Sequence, residues 1–512
     1  MSSRRIRRHT VHRHVLVVVL VAGALWAPTG LPSEFDFGFD DPMVFEEVID
    51  VRVIHVEAVV TRRGEPVQGL DVDDFVLEVD GEPVPIEYFT EVRGGLSHEP
   101  TAPAAVASVP ALPAGRPVPT SYLVFVDDDF TIESRRDRVL RGLAEQLGEM
   151  GPEDRMAVVA WDGRRLELLN VWTRSHAELT RALRRAEGRP AYGLHRRSEW
   201  RRLADDLRLR SRATGSRSFA GIGFAGARRL DAAAGEASSG ARDILGSEVG
   251  SRVARVASAA GSALRGLGGV EGRKVLLMIS GGMPSLGHVG LESDLALDGF
   301  VEADQLEAVR QLYRPVIEAA NRLGFTLYPV DAGDRISAGL VGADAATLGQ
   351  AQRLRGLAAR QRFFSEDVFF HLAERTGGDV ITSSAASRAL ARVREDTRAY
   401  YWLGFTPTWR FDDAGHEVTV RLRDRDLDVR SRKSFADLSS ATRATLAVES
   451  AHLFDVPVPG SEPLDVALGD AEPAGLGRLL VPLDLRLPID ALTFLDAGGE
   501  ESVARLELRV AA

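Results

Sequence analysis

Three side chains with oxygen atoms follow one apolar run of the sequence: Asp127, Asp129 and Thr131. Because they are two residues apart, an extended or tightly turned backbone would aim all three in one direction. Oxygen ligands arranged in this way suit a hard cation such as Mg²⁺. The spacing alone leaves a second interpretation open, in which these residues only solvate the end of a strand and cap the helix that follows.

The element that must position these side chains is a buried strand. Residues 122–126 are apolar without alternation, which is typical of a strand covered on both faces in a parallel sheet. Carboxylates at the carboxyl end of such a strand lie where open α/β sheets bind their ligands. The sequence therefore places the candidate site at the carboxyl edge of a sheet.

The surrounding sequence alternates between strand and helix patterns. Further strands are predicted at 156–161, 166–172, 274–279, 325–330 and 379–382, and helices at 134–150, 173–186, 253–267, 303–323, 366–376 and 386–398. This alternation predicts a doubly wound, mostly parallel α/β sheet over residues 120–400. An insertion at about 188–270 interrupts it, and the arginines in its first half are expected to form a solvated helix face or to bind an anionic partner.

Segments of β character flank this α/β domain. Residues 44–93 alternate apolar and polar side chains around a turn at Asp80 and Gly81, which predicts a small all-β domain. An Ala/Pro-rich linker at 94–119 separates it from the α/β domain. A β extension is predicted at 401–435 and a β-rich, sandwich-like domain at 436–512. The predicted fold class is thus a multidomain chain with an α/β core between β-rich domains.

Composition excludes several classes of function. The formal charge of -11 over 512 residues argues against a nucleic-acid-binding protein. The chain has no cysteine, so disulfides, thiolate metal sites and cysteine catalysis are excluded. The histidines after the amino-terminal segment are scattered without metal-ligand spacing, and we predict a structural or surface role for each.

The amino terminus has the pattern of an export signal. A basic stretch at 4–13 precedes an apolar run at 15–25 and small residues at 22–24, which predicts a signal peptide over 1–27, followed by a flexible lead at 28–43. The apolar run is about half the roughly 20 residues that a spanning helix needs, so no transmembrane segment is predicted beyond the signal. An uncleaved, tilted anchor stays open as an alternative. We expect a secreted, periplasmic or envelope-associated protein.

Five stretches of the sequence carry distinctive motifs: 59–75, 79–82, 151–161, 372–378 and 400–405. In this order they resemble a known family, the von Willebrand factor type A domain, in a secreted bacterial group related to it. Residues 151–161 (Gly-Pro-Glu-Asp-Arg-Met-Ala-Val-Val-Ala-Trp) resemble the second strand and its entry turn, and 372–378 (Leu-Ala-Glu-Arg-Thr-Gly-Gly) resemble the last junction from helix to strand. Residues 59–75, 79–82 and 400–405 resemble the β segments that accompany the domain in that group. The resemblance implies a domain that binds other proteins through a cation with one coordination place left for a partner's carboxylate.

The sequence departs from the family's metal motif in two places. The family has Asp-x-Ser-x-Ser after the first strand, whereas this chain has Asp127, Asp129 and Thr131 at those positions. The fourth strand ends in Ser-Gly-Gly at 280–282, where the family has an aspartate, and the family's loop threonine corresponds to Thr214 at best. The resemblance therefore implies a degenerate Mg²⁺ or other divalent-cation site at Asp127, Asp129 and Thr131, with Asp129 supplying the missing charge.

An alternative of another class is a phosphatase that resembles the haloacid dehalogenases. In that reading Asp127 is the nucleophile and Asp129 the general acid, while Ser280 belongs to the second motif and Asp331 with Asp334 to the acidic metal pair. The lysine expected between those motifs is missing. We therefore expect a non-enzymatic protein that mediates protein binding or assembly at the bacterial envelope, with an unidentified protein ligand.

Overall fold

The computed structural model describes residues 53–98, 114–196, 198–199, 202, 250–270, 272–281, 303–333, 366–382, 384–407, 410–454, 465–473, 479–486, 495–496 and 502–503. The chain divides into one unit formed by 51–456 and a second formed by 1–50 and 457–512. The predicted signal peptide, the flexible lead, most of the insertion, Thr214 and Asp334 lie outside the described residues.

The unit 51–456 contains two groups of strands and a set of helices. Its strands are β1 (Ile54–Arg62), β2 (Glu65–Pro66), β3 (Phe75–Val79), β4 (Glu82–Val84), β5 (Tyr88–Arg93), β6 (Leu96–Ser97), β7 (Thr120–Asp127), β8 (Arg155–Trp161), β9 (Leu166–Thr173), β10 (Arg273–Ser280), β11 (Phe325–Asp331), β12 (Ala399–Phe405), β13 (Gly415–Leu422), β14 (Asp428–Arg430) and β15 (Ser434–Ala436). Its helices are α1 (Glu133–Gln146), α2 (His176–Glu187), α3 (250–266), α4 (Ala303–Leu323), α5 (366–376), α6 (Ala389–Arg398) and α7 (Ser440–Phe454).

The central sheet has the order β11-β10-β7-β8-β9. The first four strands are parallel, and β9 at the edge is antiparallel to β8. The predicted mixed α/β character is therefore confirmed, with a sheet that is parallel except at one edge. The predicted strand at 379–382 is reduced to one parallel bridge between Val330 and Ile381.

Helices cover both faces of this sheet, which explains why its strands are apolar without alternation. One buried cluster joins one face to α1, α2 and α6, and a second joins the other face to α3, α4 and α5. Every residue of β7 is buried. Each large apolar side chain buried in this way contributes about 1.5–3 kcal/mol, so the carboxyl end of β7 is held in a rigid interior.

The remaining strands of this unit form two antiparallel sheets around a separate apolar cluster. Their orders are β14-β1-β12-β5-β6, with β2 beside β1, and β15-β13-β3-β4. Strands from the predicted all-β domain at 44–93 thus pair with strands from the predicted extension at 401–435, as at Val56 with Leu403 and Val79 with Val418. Phe75, Leu77 and Tyr401 belong to the cluster between them.

The described residues after 436 form one helix and then short strands. Residues 440–454, placed in the predicted β-rich tail, form helix α7; its Ala-rich sequence favours a helix, and the Ser439 hydroxyl oxygen accepts from Thr442 N at 3.1 Å as an N-cap. In the second unit the described strands β16 (Asp465–Leu468), β17 (Glu472–Pro473), β18 (Leu479–Leu480), β19 (Leu483–Arg486), β20 (Leu495–Asp496) and β21 (Ser502–Val503) pair two by two.

Within the described part of the chain, every helix is too short or too polar to span a bilayer.

Candidate functional site

The carboxyl edge of the central sheet carries the candidate site. In chain order the sheet runs third, second, first, fourth, fifth strand, so the direction of connection reverses between β7 and β10. Open α/β sheets bind ligands outside the carboxyl ends of the two strands at such a reversal. Asp127 ends β7 and Ser280 ends β10, and the Ser280 hydroxyl donates to Asp127 Oδ2 at 2.7 Å.

Asp127 is fully buried and faces back into its own loop. Its Oδ1 accepts from the backbone N–H of Asp129 at 3.1 Å and of Phe130 at 3.2 Å. Burial raises the pKa of Asp127 to about 8, and the nearby charge of Asp129 adds to the shift, although the bond from Ser280 opposes it. Burial therefore favours the protonated, uncharged form of this side chain.

Asp128, which the sequence did not single out, is paired with two arginines. Arg136 of α1 donates to its Oδ1 at 2.7 Å, and Arg189 donates to its Oδ2 at 2.7 Å. Arg136 is itself buried and also donates to the backbone oxygens of Glu187 and Arg189 at 2.9 and 2.8 Å. The two guanidinium groups thus tie the strand end to α1 and to the segment after α2.

Asp129 and Thr131 point to different partners. Arg196, in the helical segment that begins at residue 193, donates to Asp129 Oδ1 at 2.6 Å. The Thr131 hydroxyl donates to the backbone oxygen of Asp127 at 2.6 Å, which closes the loop on itself. The three predicted ligands are therefore adjacent, but each has a separate partner within the protein.

Backbone packs against this loop on two sides. A Cβ atom added to Gly281 would lie 1.7 Å from the backbone oxygen of Phe130, and one added to Gly193 would lie 2.5 Å from the same atom. Gly193 N donates to the backbone oxygen of Thr131 at 3.0 Å. Position 281 therefore accepts only glycine in this packing.

The surroundings of Asp127, Asp129 and Thr131 do not fit a shared cation. All three residues are buried, and Ser280, Arg196 and the loop backbone occupy the hydrogen-bonding positions that a cation would need. Guanidinium groups supply positive charge at Asp128 and Asp129 instead. Metal binding at these three residues remains a prediction that a titration has to test.

The positions of the residues that a phosphatase would use do not favour that alternative. Its nucleophile Asp127 is buried, and Asp331 accepts from Gly333 N at 3.0 Å at the end of β11. Lys274 lies at the opposite, amino end of β10, where its Nζ donates to the backbone oxygens of Gly268 and Leu323.

A second group of side chains, at the start of β13 and the end of β15, could hold a metal ion. One possible ligand atom each from Asp412, His416 and Asp437 lie within 4.8 Å of one another. Sequence reasoning missed this group and gave His416 only a structural role. The spacing of four residues between Asp412 and His416 was visible, but the contribution of Asp437 depends on the pairing of β13 with β15.

Two features of this group favour a ligand. Asp437 is only 1% exposed, and its Oδ2 accepts from the backbone N–H of Arg410 and Phe411. Its Oδ1 is buried and has no hydrogen-bond partner within the described part of the chain. His416 Nδ1 is hydrogen-bonded to Asp80 Oδ2 at 2.8 Å, which leaves Nε2 as the free ring nitrogen. Histidines that bind a metal through one ring nitrogen commonly donate the N–H of the other ring nitrogen to a carboxylate in this way.

Comparison with protein-family models and with curated proteins gives no match to this chain.

Proposed function

We propose that this chain is an exported protein of the von Willebrand A-like kind that mediates protein binding or assembly at the bacterial envelope. The observation that carries the proposal is the acidic loop of Asp127 to Thr131 at the reversal point between β7 and β10. The amino-terminal signal pattern supports export, and the motifs at 151–161 and 372–378 support the family.

In this proposal the loop acts without a bound cation. Arg136, Arg189 and Arg196 supply the positive charge that the related family obtains from a metal. The strand end is therefore a preorganised support, and a partner contacts the surface above it rather than Asp127 itself.

That surface has exposed groups suited to an acidic partner. The turn between β8 and β9 exposes Arg164 and Arg165, and the neighbouring helical segment exposes Leu194, which is 57% accessible. On a chain of charge -11 these arginines form a local basic site. We propose that an acidic segment of a protein partner binds there, steered by charge and anchored by Leu194.

A charge-reversed pair of variants tests this function. The purified chain is incubated with the native envelope fraction, with and without a chelator, and retained proteins are compared with those retained by Arg164→Glu/Arg165→Glu. The control, Arg181→Glu/Arg184→Glu, makes the same charge change on the exposed side of α2. We expect a saturable partner that survives chelation and is lost only with the first variant; equal retention by both variants would contradict the proposal.

We also propose that the metal-binding residue set is Asp412, His416 and Asp437, not the loop after β7. One imidazole and two carboxylates with an open coordination place suit Zn²⁺ better than Mg²⁺, which prefers oxygen ligands alone. Ligands of tetrahedral zinc lie about 3.3 Å apart, so the exposed Asp412 side chain would close in as the ion binds. The ion would join the 410–416 turn to β15.

A further inference from the structure

A cavity of about 320 Å³ lies at the amino end of the central sheet, opposite the candidate site. Its walls come from the start of β10 and β11, the end of α4, and strands β1 and β12 of the adjoining β sheet. The volume falls near the lower end of the range for small-molecule sites. The cavity is therefore large enough for one small ligand.

The charged side chains that line the cavity are mostly cationic. They are Arg273, Lys274, Arg322 and Arg432, against the single carboxylate of Glu57. Arg273 forms an ion pair with that carboxylate, because its Nε lies 2.9 Å from Glu57 Oε2. Three cations therefore line the cavity beyond the one that Glu57 balances.

These remaining cations are held in place by neutral backbone groups. Lys274 Nζ donates to the backbone oxygens of Gly268 at 2.8 Å and Leu323 at 3.1 Å, and Arg432 donates to the backbone oxygen of His55. Nε of Arg322 and Nε of Arg432 are both buried, and neither has a hydrogen-bond partner among the described residues. Arg322 and Arg432 both line the cavity.

Burial and mutual repulsion make this concentration of positive charge unfavourable. Burial lowers the pKa of Lys274 to about 8, with repulsion from Arg432 adding to the shift, and burial lowers the pKa of Arg432 to about 10. Burial and the charge of Arg432 lower the pKa of His55 to about 4. An anion in the cavity would offset this cost, because a buried charge is tolerated when it is paired.

We propose that this cavity binds a small anionic metabolite through a phosphate or carboxylate group held by Arg322, Arg432 and Lys274. Trp402 and Phe325 line the same cavity and offer apolar surface to the rest of the ligand. Arginine suits this role because its planar fork of N–H donors matches the oxygens of phosphate and carboxylate.

Calorimetry and thermal melting of the full chain test this proposal with inorganic phosphate, pyrophosphate and citrate as probes. Sodium chloride at matched ionic strength controls for screening. We expect at least one probe to bind saturably, with one site per chain, and to raise the melting temperature where chloride does not. Phosphate and pyrophosphate against citrate separate the two ligand chemistries.

Two arginines on the same helix provide matched variants. Arg322→Gln should weaken binding about tenfold, as expected for loss of a hydrogen bond from a charged donor, whereas Arg314→Gln on the exposed face of α4 should leave it unchanged. Arg432→Gln should weaken binding further, and Arg322→Gln keeps the test decisive if that variant fails to fold. Absence of saturable binding for all three probes, or an equal effect of Arg322→Gln and Arg314→Gln, would overturn the proposal.

Discussion

Asp127 shows how burial decides the chemistry of a residue that sequence alone makes look like a ligand. Its carboxyl group accepts two backbone N–H bonds and one hydroxyl bond inside a closed loop. Burial opposes ionisation more strongly than these bonds favour it, so the pKa rises to about 8. In this structure the carboxyl group of Asp127 holds the loop after β7 closed, and its role as a metal ligand stays a prediction.

The raised pKa of Asp127 makes stability depend on pH. In the unfolded chain an aspartate ionises near pH 4, so between about pH 4 and pH 8 the folded state binds the extra proton. The free energy of unfolding should therefore fall as pH rises through that window, by an amount on the order of 2–5 kcal/mol. Asp127→Asn, which mimics the neutral form, should flatten the dependence in urea denaturation.

The matched control for this experiment is Asp426→Asn, since Asp426 is an exposed carboxylate on the turn before β14. Its curve should keep the slope of the native chain. A slope that is unchanged in Asp127→Asn would show that the carboxyl group ionises normally in the fold.

The buried Oδ1 atom of Asp437, which has no hydrogen-bond partner among the described residues, leads to a prediction about zinc. Asp437→Asn keeps an acceptor for the N–H groups of Arg410 and Phe411 but replaces the unpartnered oxygen by an amide, so the fold should survive. Zinc affinity measured by calorimetry should fall at least about 100-fold, and Asp80→Asn, which removes the carboxylate behind His416, should lower it about 10–100-fold. Asp129→Asn should leave zinc affinity unchanged; if it alone abolished binding, the metal would belong to the loop after β7.

At the scale of elements, the sequence predicts helices and turns well, because these depend on interactions between residues that are close together in the chain. The helix predicted at 173–186 is present as α2, which begins after Ser175, whose hydroxyl oxygen accepts from Glu178 N at 3.4 Å. Asp71 and Asp74 form a capping box at the short helical turn 72–74. Such features depend on residues three or four apart, which a single sequence displays.

Features that depend on distant residues could not be predicted. Nothing in the spacing of Asp128 and Asp129 identifies Arg136, Arg189 and Arg196 as their partners, because the arginine-rich stretch equally fits a solvated helix face. The strand predicted at 379–382 is a single bridge to β11, and such pairing between distant segments is not visible in the sequence. The sequence therefore placed Asp127 at the carboxyl end of a buried strand, as in the structure, but did not identify the arginines that pair with the neighbouring carboxylates.

The contact at Gly281 leads to a prediction about packing. Gly281→Ala would place a methyl group 1.7 Å from the backbone oxygen of Phe130, and the loop would have to move. We expect a loss of about 1–3 kcal/mol or more in the free energy of unfolding, measured in urea. Gly148→Ala, where nothing lies within 4 Å, should change it by less than about 1 kcal/mol. Equal values for the two variants would contradict the close contact.

At the scale of the molecule, strands that precede the α/β domain in the chain pair with strands that follow it. The first half of β1 pairs with β12 and its second half with β14. Arg273 of β10 contacts Glu57 of β1, donates to the backbone oxygen of Asp396 at 2.9 Å and lies over the ring of Tyr400. Both regions therefore belong to one unit.

This interleaving predicts the result of truncation. A chain ending at 398 lacks β12 to β15, so β1, β3 and β5 lose their pairing partners and the apolar cluster around Phe75 is uncovered. We expect limited proteolysis to remove residues 53–98 from that chain quickly while the α/β domain survives. A chain ending at 456 should resist proteolysis throughout 53–98, and equal resistance of the two chains would contradict the pairing.

The position of β1 between β12 and β14 also sets an order of events as the chain is made. The amino-terminal strands emerge from the ribosome first, yet their neighbours follow only after Ala399. The strands of the α/β domain, β7 to β11, pair only with one another in the described structure. This domain can therefore fold before β12 and β14 have been synthesised. Contacts of such long sequence separation form late and slowly. This protein should therefore fold from the middle of its chain outward, with its first-made strands completed last.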